Sequence, residues 1–202
     1  MRHIVVAGNI GSGKTNLSKK LAAHKNWELY EEPFSMNPYL ERFYDDMKAW
    51  SFHSQMYFMT HSFENHMEIS KQEGPTIQDR CLYENTEIFA RNLYNAGLMS
   101  EHDWQTLKSA YDSIVKVLRA PDLLIYLKSS TERCLKNVKK RGREIDKDID
   151  ARYMQFLNNL YDEWIGDYKL SPIITIDMDE DDLKYNEDDF MRLVGEIDKF
   201  GS

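Results

Sequence analysis

The chain has 202 residues, a formal net charge of −8 at pH 7 and 42% hydrophobic residues, which suits one domain that buries its own core. The acidic balance argues against nucleic acid or an acidic membrane as partner, and no run is long and apolar enough to span a bilayer. Cys81 and Cys134 are too few for a disulfide framework and too far apart for a metal site. So few cysteines suit a reducing compartment, and the strand expected close to Met1 leaves no room for a signal peptide. Both observations predict a cytoplasmic protein.

The first stretch with a chemical signature follows a short predicted strand. Residues 4–7 are apolar and rich in β-branched side chains, as in a buried strand. Residues 8–15 come next and match the pattern G-x-x-x-x-G-K-[ST] without a mismatch. Leu17, Leu21 and Ala22 then recur at helical spacing. Strand, glycine loop and helix together are the context in which this pattern binds phosphate.

The residue types in the loop suit a nucleotide phosphate chain. Glycines let backbone N–H groups approach phosphate oxygens, and the start of the following helix adds its positive dipole end. Lys14 can reach the β- and γ-phosphates, and the Thr15 hydroxyl can ligate Mg²⁺. The alternative is a glycine-rich turn that binds nothing. The expected phosphate site consists of Gly8, Asn9, Ile10, Gly11, Ser12, Gly13, Lys14 and Thr15.

Two further short strands are predicted at 27–30 and 76–78, and each ends in charged residues. Pro33 stops regular pairing after the first of them. Ligands of open α/β sheets gather at the carboxyl ends of the strands, so these charged side chains are candidates for a site. They are Glu31, Glu32, Asp79 and Arg80.

The rest of the chain alternates helices with two more strands. Buried strands are predicted at 123–127 and 173–176, and an acidic solvated loop at 177–189. The predicted helices cover 37–48, 50–72, 82–94, 100–119, 130–143, 151–168 and 190–200. Strands that alternate with helices predict an α/β fold with a five-stranded parallel sheet and helices on both faces.

The order and spacing of several short motifs resemble the deoxyribonucleoside kinases, and within them the bacterial deoxyadenosine/deoxyguanosine kinase branch. The resemblance covers nearly the whole chain. Each piece is weak alone, whereas their order is specific. The pieces are residues 8–15, 32–33, 37–40, 50–52 with Gln55, 79–80, 88–94, 121–123 and 141–143.

This resemblance implies a P-loop kinase fold and transfer of a phosphoryl group from ATP, with Mg²⁺, to the 5′-hydroxyl of a deoxyribonucleoside. Phosphoryl transfer needs positioning, charge neutralisation and a base for the attacking hydroxyl. Glu32 matches the family's general base, with Glu31 as the competitor. Asp79 matches an acidic residue near the metal, and Arg80 the arginine beside it. With Lys14, Glu32 and Arg80 form the expected catalytic set. The family resemblance also implies a homodimer.

A lid is expected at about 137–150 within a single domain that spans 1–202. Arg141 and Arg143 match the family's lid arginines, which close over the ATP phosphates; alternatively they only finish a helix. Asn137 stands where some members carry an arginine near the ATP base.

The resemblance also assigns a nucleoside pocket. Tyr44 and Asp146 align with the pair that binds the sugar 3′-hydroxyl, and Gln55 aligns with the glutamine that reads the base. With Glu32 and Arg80, the expected substrate contacts are Phe34, Leu40, Tyr44, Gln55, Asn85, Phe89 and Asp146.

Three departures from the family bear on the base. Ser54 and Ser62 replace larger side chains and leave room for a purine, and Asn85 replaces an aspartate and adds an amide donor that suits guanine. The expected order of preference is deoxyadenosine, deoxyguanosine, deoxycytidine and then thymidine.

Two other functions compete with this interpretation. A nucleoside monophosphate kinase would need extra arginines near Glu32, and residues 30–39 contain none. A non-catalytic nucleotide-binding subunit would keep the glycine loop but would need neither Glu32 nor the pair Asp79 and Arg80.

Overall fold

Five short apolar segments pair into one sheet in the computed structural model, which describes residues 3–32, 34–143, 146, 149–181, 183–184 and 186–200. All neighbouring strands are parallel, and their order is β2-β3-β1-β4-β5. The strands are β1 (His3–Gly8), β2 (Glu28–Tyr30), β3 (Thr76–Asp79), β4 (Leu123–Lys128) and β5 (Ile173–Asp177). The five-stranded parallel sheet with helices on both faces is therefore confirmed.

The sheet is buried on both faces because successive side chains of its central strands enter different cores. On β1, Val5 and Ala7 join one apolar cluster, whereas Ile4 and Val6 join the other. This double burial explains why the central strands β1 and β4 contain continuous apolar runs with no alternation of polar residues. Helices supply the rest of both cores.

Nine α-helices lie in the part of the chain that the structure describes, and side chains cap several of them. Ser100 and Ser130, for example, each accept a hydrogen bond from the backbone N–H three residues on. No helix among the described residues is both long and apolar enough to cross a membrane. The helices are α1 (Lys14–Lys25), α2 (Leu40–Asp45), α3 (Met47–Ile69), α4 (Leu82–Glu84), α5 (Arg91–Asn95), α6 (Glu101–Val115), α7 (Thr131–Arg141), α8 (Ala151–Asp167) and α9 (Glu187–Asp198).

The structure differs from the sequence prediction in three helical regions. The helix predicted at 82–94 is interrupted by a π-helical segment, Asn85–Ala90, between α4 and α5. The helix predicted at 37–48 is split, because Asp46 leaves the helical conformation and caps α3 by accepting the Ala49 N–H. The acidic loop is shorter than predicted, because Asn186 caps α9 and draws Glu187–Asp198 into that helix. Residue 33 and residues 144, 145, 147 and 148 of the expected lid lie outside the described residues.

The strand order brings three carboxyl ends together. The chain leaves β1 toward β2 at one edge, returns in β3 beside β1, and then crosses to β4 on the other side of β1. The ends of β1, β2 and β3 therefore meet at one place, which is where open α/β sheets bind ligands.

A buried histidine pair at the opposite end of the sheet makes the stability of the fold depend on pH. His3 Nε2 lies 2.9 Å from Gln78 Oε1, and its ring packs edge-on against His66 with 4.9 Å between centroids. Burial, and then the neighbouring His66, lower the pKa of His3 to about 4. Below pH 6.5, His3 in the unfolded chain therefore binds a proton, whereas His3 in the folded chain stays neutral down to about pH 4.

Above pH 6.5, His3 therefore does not lower the free energy of unfolding. Between pH 6.5 and pH 4, we expect His3 alone to lower the free energy of unfolding by up to about 3 kcal/mol. Urea unfolding at a series of pH values measures this slope. In His3→Gln the slope should flatten over that window, whereas the control His102→Gln, on an exposed part of α6, should keep the wild-type slope. An unchanged slope in His3→Gln would contradict the account.

Candidate active site

Nearby backbone leaves no room for a side chain at two glycines of the residue 8–15 motif. Gly8 has a φ of 150° and Gly11 a φ of 79°, both in the range that favours glycine. A Cβ on Gly8 would lie 2.8 Å from the Leu127 carbonyl oxygen, and one on Gly11 would lie 2.5 Å from that of Cys134. The backbone therefore folds tightly against β4 and α7, and residues 11–17 line an open cleft.

Lys14 lies at the start of α1 with its side chain folded back under the loop. Its Nζ donates hydrogen bonds of 2.9 Å to the carbonyl oxygens of Gly8 and Asn9. Burial, and next the cation of Arg80, lower the pKa of Lys14 to about 8, while nearby carboxylates oppose this shift. A buried cation next to the N-terminus of a helix is well placed to bind phosphate oxygens.

Thr15, in the first turn of α1, and Asp79, at the end of β3, bring two hard oxygen ligands together. Thr15 Oγ1 donates to Asp79 Oδ2 at 2.5 Å. Asp79 Oδ1 is buried and has no hydrogen-bond partner within the described part of the chain. Mg²⁺ prefers such oxygens and usually takes only one or two protein ligands, with water and substrate phosphates completing the shell. The residues present therefore fit a magnesium ion.

Glu32 and Glu31 occupy different environments although they are neighbours. Glu32 Oε1 lies 2.9 Å from Arg80 Nε, and the Glu32 side chain is 24% exposed. Glu31 also lines the inner cavity, but it pairs with Lys19 at 3.1 Å, and both side chains are about half exposed. Arg80 has a φ of 67°, which costs a non-glycine residue about 1–3 kcal/mol, so its strained position is held by these contacts.

Two cavities meet at the loop. The first, which we call the loop cleft, measures about 510 Å³ and is lined by residues 11–17 and by cationic side chains of α7. The second, the inner cavity, measures about 150 Å³ and lies beside the ends of β2 and β3. Five residues line both cavities: Gly11, Lys14, Thr15, Arg141 and Arg143.

The inner cavity brings together all nine residues that the sequence assigned to the nucleoside. They come from five different parts of the chain and surround one space. They are Glu32, Phe34, Leu40, Tyr44, Gln55, Arg80, Asn85, Phe89 and Asp146. The cavity also contains Tyr153, Phe43, Phe58 and Leu93, which sequence reasoning missed because their apolar or helical spacing resembles that of core residues.

Two amide side chains of the inner cavity, those of Gln55 and Asn85, offer it hydrogen-bond acceptors. Gln55 Oε1 is buried without a partner among the described residues. Asn85 Nδ2 donates to the Phe58 carbonyl oxygen at 3.1 Å and to Ser62 Oγ at 2.7 Å. Both amide protons of Asn85 are therefore used, and only its carbonyl oxygen remains for a ligand. Ser54 lines the cavity, whereas Ser62 does not and instead accepts the hydrogen bond from Asn85.

Three of the lid residues that the structure describes, Arg141, Arg143 and Asp146, line the inner cavity. Arg141 Nη2 donates to Asp146 Oδ2 at 2.5 Å, and Asp146 is 4% exposed. The Arg143 guanidinium carbon lies 5.3 Å from the centre of the Phe34 ring. Asn137 Nδ2 donates to the Gly11 carbonyl oxygen at 2.8 Å, so this side chain fastens α7 to the loop.

A tight glycine loop at the N-terminus of a helix, paired charges at adjacent strand ends and a neighbouring cavity are the features that define the class of this protein. It is a phosphotransferase of the kinase type, with a P-loop fold. A model of the deoxynucleoside kinase family matches residues 4–202. The chain belongs to the deoxynucleoside kinase family.

Individual relatives agree with this assignment. The chain is 35% identical to the deoxyadenosine/deoxycytidine kinase of Bacillus subtilis, with 96% of this chain and 90% of that protein covered. It is 32% identical to the deoxyguanosine kinase of the same organism, with 96% and 95% covered. A solved deoxyadenosine kinase structure from M. mycoides, with dATP bound, superposes with a TM-score of 0.85 at 26% identity and covers 98% of this chain and 100% of that one.

Proposed function

We propose that this kinase transfers the γ-phosphoryl group of ATP to the 5′-hydroxyl of a deoxyribonucleoside and so makes the deoxynucleoside monophosphate for salvage. The observation that carries the proposal is the junction of the two cavities. Lys14, Thr15, Arg141 and Arg143 line both, so a nucleotide in the loop cleft and a nucleoside in the inner cavity meet at these residues. In-line transfer needs the donor and acceptor to meet in this way.

Glu32 is the proposed general base and Arg80 the proposed cation at the reacting group. Both line the inner cavity, where Glu32 can accept the proton of the attacking hydroxyl. Arg80 is held 2.9 Å from Glu32, so once the nucleoside enters, its guanidinium is positioned near both the base and the transferred phosphoryl group. Lys14 neutralises charge between the β- and γ-phosphates.

Thr15 and Asp79 are the proposed residues for magnesium. When bound, the ion would neutralise charge on the ATP phosphates. The orphan Asp79 Oδ1 and the adjacent Thr15 Oγ1 support this assignment, because both are oxygen ligands at the edge of the loop.

The sugar is proposed to contact Tyr44 and Asp146. Burial raises the pKa of Tyr44, and the nearby Tyr153 and Asp146 raise it further, so its hydroxyl stays protonated and can donate. Asp146 is held by Arg141. A nucleoside that binds Asp146 would therefore compete with, or share, a lid arginine.

Arg141 and Arg143, in the described part of the lid at about 137–150, line both cavities and are proposed to contact the phosphates beside the sugar site. In a variant with both changed to Ala, we expect kcat to fall about 10²-fold or more while nucleoside KM changes less, because the arginines act on developing charge late in the cycle. Steady-state kinetics against ATP and nucleoside measure both. Lys139→Ala, in the same last turn of α7 but exposed, is the control and should match wild type. A wild-type kcat in the double variant would mean that these arginines have no role in transfer and only finish a helix.

The base is proposed to be recognised through the amino group at C6 of adenine or C4 of cytosine. Gln55 Oε1 and the Asn85 carbonyl oxygen are acceptors that suit these donors, whereas guanine and thymine carry a carbonyl oxygen at the same position. The amide donor of Asn85 that the sequence analysis assigned to guanine is occupied by Phe58 and Ser62. We therefore propose the order deoxyadenosine, deoxycytidine, deoxyguanosine and thymidine.

Measuring kcat/KM for the four deoxynucleosides tests this order. In Gln55→Leu the value for deoxyadenosine should fall about 10²-fold, since a site built to hydrogen-bond a base loses that pairing. The control Gln105→Leu lies on the exposed face of α6 and should change nothing. A wild type that prefers thymidine, or a Gln55→Leu variant with unchanged selectivity, would contradict the assignment.

We propose a homodimer in the cytoplasm, as the family resemblance implies. Both cysteines are free, as in a reducing compartment. Helices α3 and α6 pack together and carry apolar side chains that are only partly buried. Met67 on α3 and Val117, which follows α6, are exposed. These surfaces support a second copy of the chain as partner.

A further inference from the structure

A carboxylate and a tyrosine outside the cavities are completely buried and bonded to each other. Glu84 is the third residue after Cys81 at the start of α4, and Tyr161 lies in α8; both are 0% exposed. Tyr161 Oη donates toward Glu84 Oε1 at 2.8 Å. Neither residue lines the loop cleft or the inner cavity.

Glu84 connects the start of α4 to the phosphate-binding loop. Its Oε2 accepts the Cys81 N–H at 3.0 Å, which closes the first turn of α4 directly after Arg80. Its Oε1 accepts the Gly8 N–H at 3.1 Å, 76 residues away in the chain. One carboxylate therefore binds both backbone segments that hold the proposed phosphate-binding groups.

Tyr161 binds the same two segments through its single hydroxyl. Its oxygen accepts a hydrogen bond from Arg80 Nη1 at 3.2 Å, and its proton is shared between Glu84 Oε1 and the Gly8 carbonyl oxygen at 2.7 Å. Burial, and then Glu84, raise the pKa of Tyr161 well above its ordinary value, so the hydroxyl remains a donor. The Gly8 carbonyl also accepts from Lys14 Nζ, which places Lys14 and Arg80 on one network.

We propose that Glu84 and Tyr161 are positioning residues for phosphoryl transfer, which fix the guanidinium of Arg80 relative to the peptide of Gly8 and so to Lys14. The inference rests on the proposed kinase reaction. Arg80 has partners on two sides: Glu32 and the ring of Phe89, 4.3 Å from the guanidinium carbon, on the side of the cavity, and Tyr161 with Glu84, at 3.8 Å, on the buried side. A substrate in the inner cavity contacts the first set, whereas the second set lies outside both cavities and is free of that competition.

Tyr161→Phe tests the proposal with the smallest change, because the ring and its stacking on Tyr126 remain. We expect kcat to fall about 10- to 100-fold while nucleoside KM stays within about threefold, since misplacing a group near the reacting atoms costs rate more than binding. The matched control is Tyr126→Phe, a buried tyrosine stacked on the same ring whose hydroxyl has no part in this network. It should keep the wild-type kcat.

A second arm asks whether the effect passes through Arg80. In an Arg80→Lys background, the change Tyr161→Phe should alter kcat less than about threefold, because the guanidinium that Tyr161 orients is gone. Glu84→Gln, which removes the charge and one of the acceptors, should lower kcat as Tyr161→Phe does, with little further loss in the double variant. Thermal melting of every variant accompanies the kinetics.

The outcomes separate this proposal from the proposed function. If the wild type phosphorylates no deoxynucleoside, the proposed function has failed. If the wild type is active, three results overturn the positioning role. The kcat of Tyr161→Phe could stay within twofold of wild type, or fall no further than that of Tyr126→Phe. The change Tyr161→Phe could also lower kcat by the same factor in the Arg80→Lys background as in the wild type. Failure of both Glu84→Gln and Tyr161→Phe to fold would likewise overturn it, since the pair would then be part of the core alone.

Discussion

Lys14→Ala is expected to lower phosphoryl transfer by roughly 10³-fold or more, the range known for removing an essential cation from this type of transition state. The Lys14 ammonium lines both cavities and is held by the carbonyl oxygens of Gly8 and Asn9. Within the described residues of the loop it is the one side chain that can place a positive charge between the β- and γ-phosphates. Transfer from radiolabelled ATP to deoxyadenosine measures the loss.

The control for this prediction lies on the same helix. Lys25→Ala removes an ammonium from the last turn of α1, where it pairs with Asp198 at the surface. It should retain the wild-type rate, and Lys14→Ala should still bind deoxyadenosine, which shows that the inner cavity is intact. Nearly normal turnover in Lys14→Ala would remove the basis for placing ATP phosphates in the loop.

Glu32→Gln is expected to lower kcat by about 10²- to 10⁴-fold, the usual range for a lost general base, while the deoxyadenosine Kd changes little. The amide cannot accept the proton of the 5′-hydroxyl. It still fills the space beside Arg80, 2.9 Å away in the wild type, so the cavity keeps its shape. Single-turnover rates and equilibrium binding of the nucleoside separate the two effects.

Glu31→Gln is the matched control for that variant. It breaks an exposed ion pair with Lys19, which is worth at most about 1 kcal/mol of stability, and it keeps the size of a side chain that also lines the inner cavity. Its kcat should stay within a few-fold of wild type. If instead Glu31→Gln were the slow variant and Glu32→Gln the normal one, the base would have been assigned one residue too far along the chain.

Much of the fold could be predicted because its signals are local. Strands buried on both faces, such as β4, give continuous apolar runs, and the loop before α1 has fixed glycine and lysine positions. The π-helical segment Asn85–Ala90 could not be predicted, because its sequence has the same apolar spacing as an α-helix. That segment matters, since it carries both Asn85 and Phe89 at the inner cavity.

The site divides in the same way. Charged residues at strand ends, such as Glu32 and Arg80, are easily recognised in the sequence, because charged side chains do not contribute to an apolar core. Glu84 and Tyr161 could not be found, because each lies within an apolar helical pattern and its partners are distant in the chain. The bonding of the Asn85 amide was also invisible, since it depends on the side of α3 that Ser62 faces.

The central claim is that the acceptor is the 5′-hydroxyl of a nucleoside bound in the inner cavity. Its most direct test is incubation of the enzyme with ATP, Mg²⁺ and either deoxyadenosine or its 5′-monophosphate, with the products identified by mass. We expect deoxyadenosine to become the 5′-monophosphate with equimolar ADP and no diphosphate to form. Conversion of the monophosphate to the diphosphate without use of the nucleoside, or ATP binding with no transfer to either, would contradict the account.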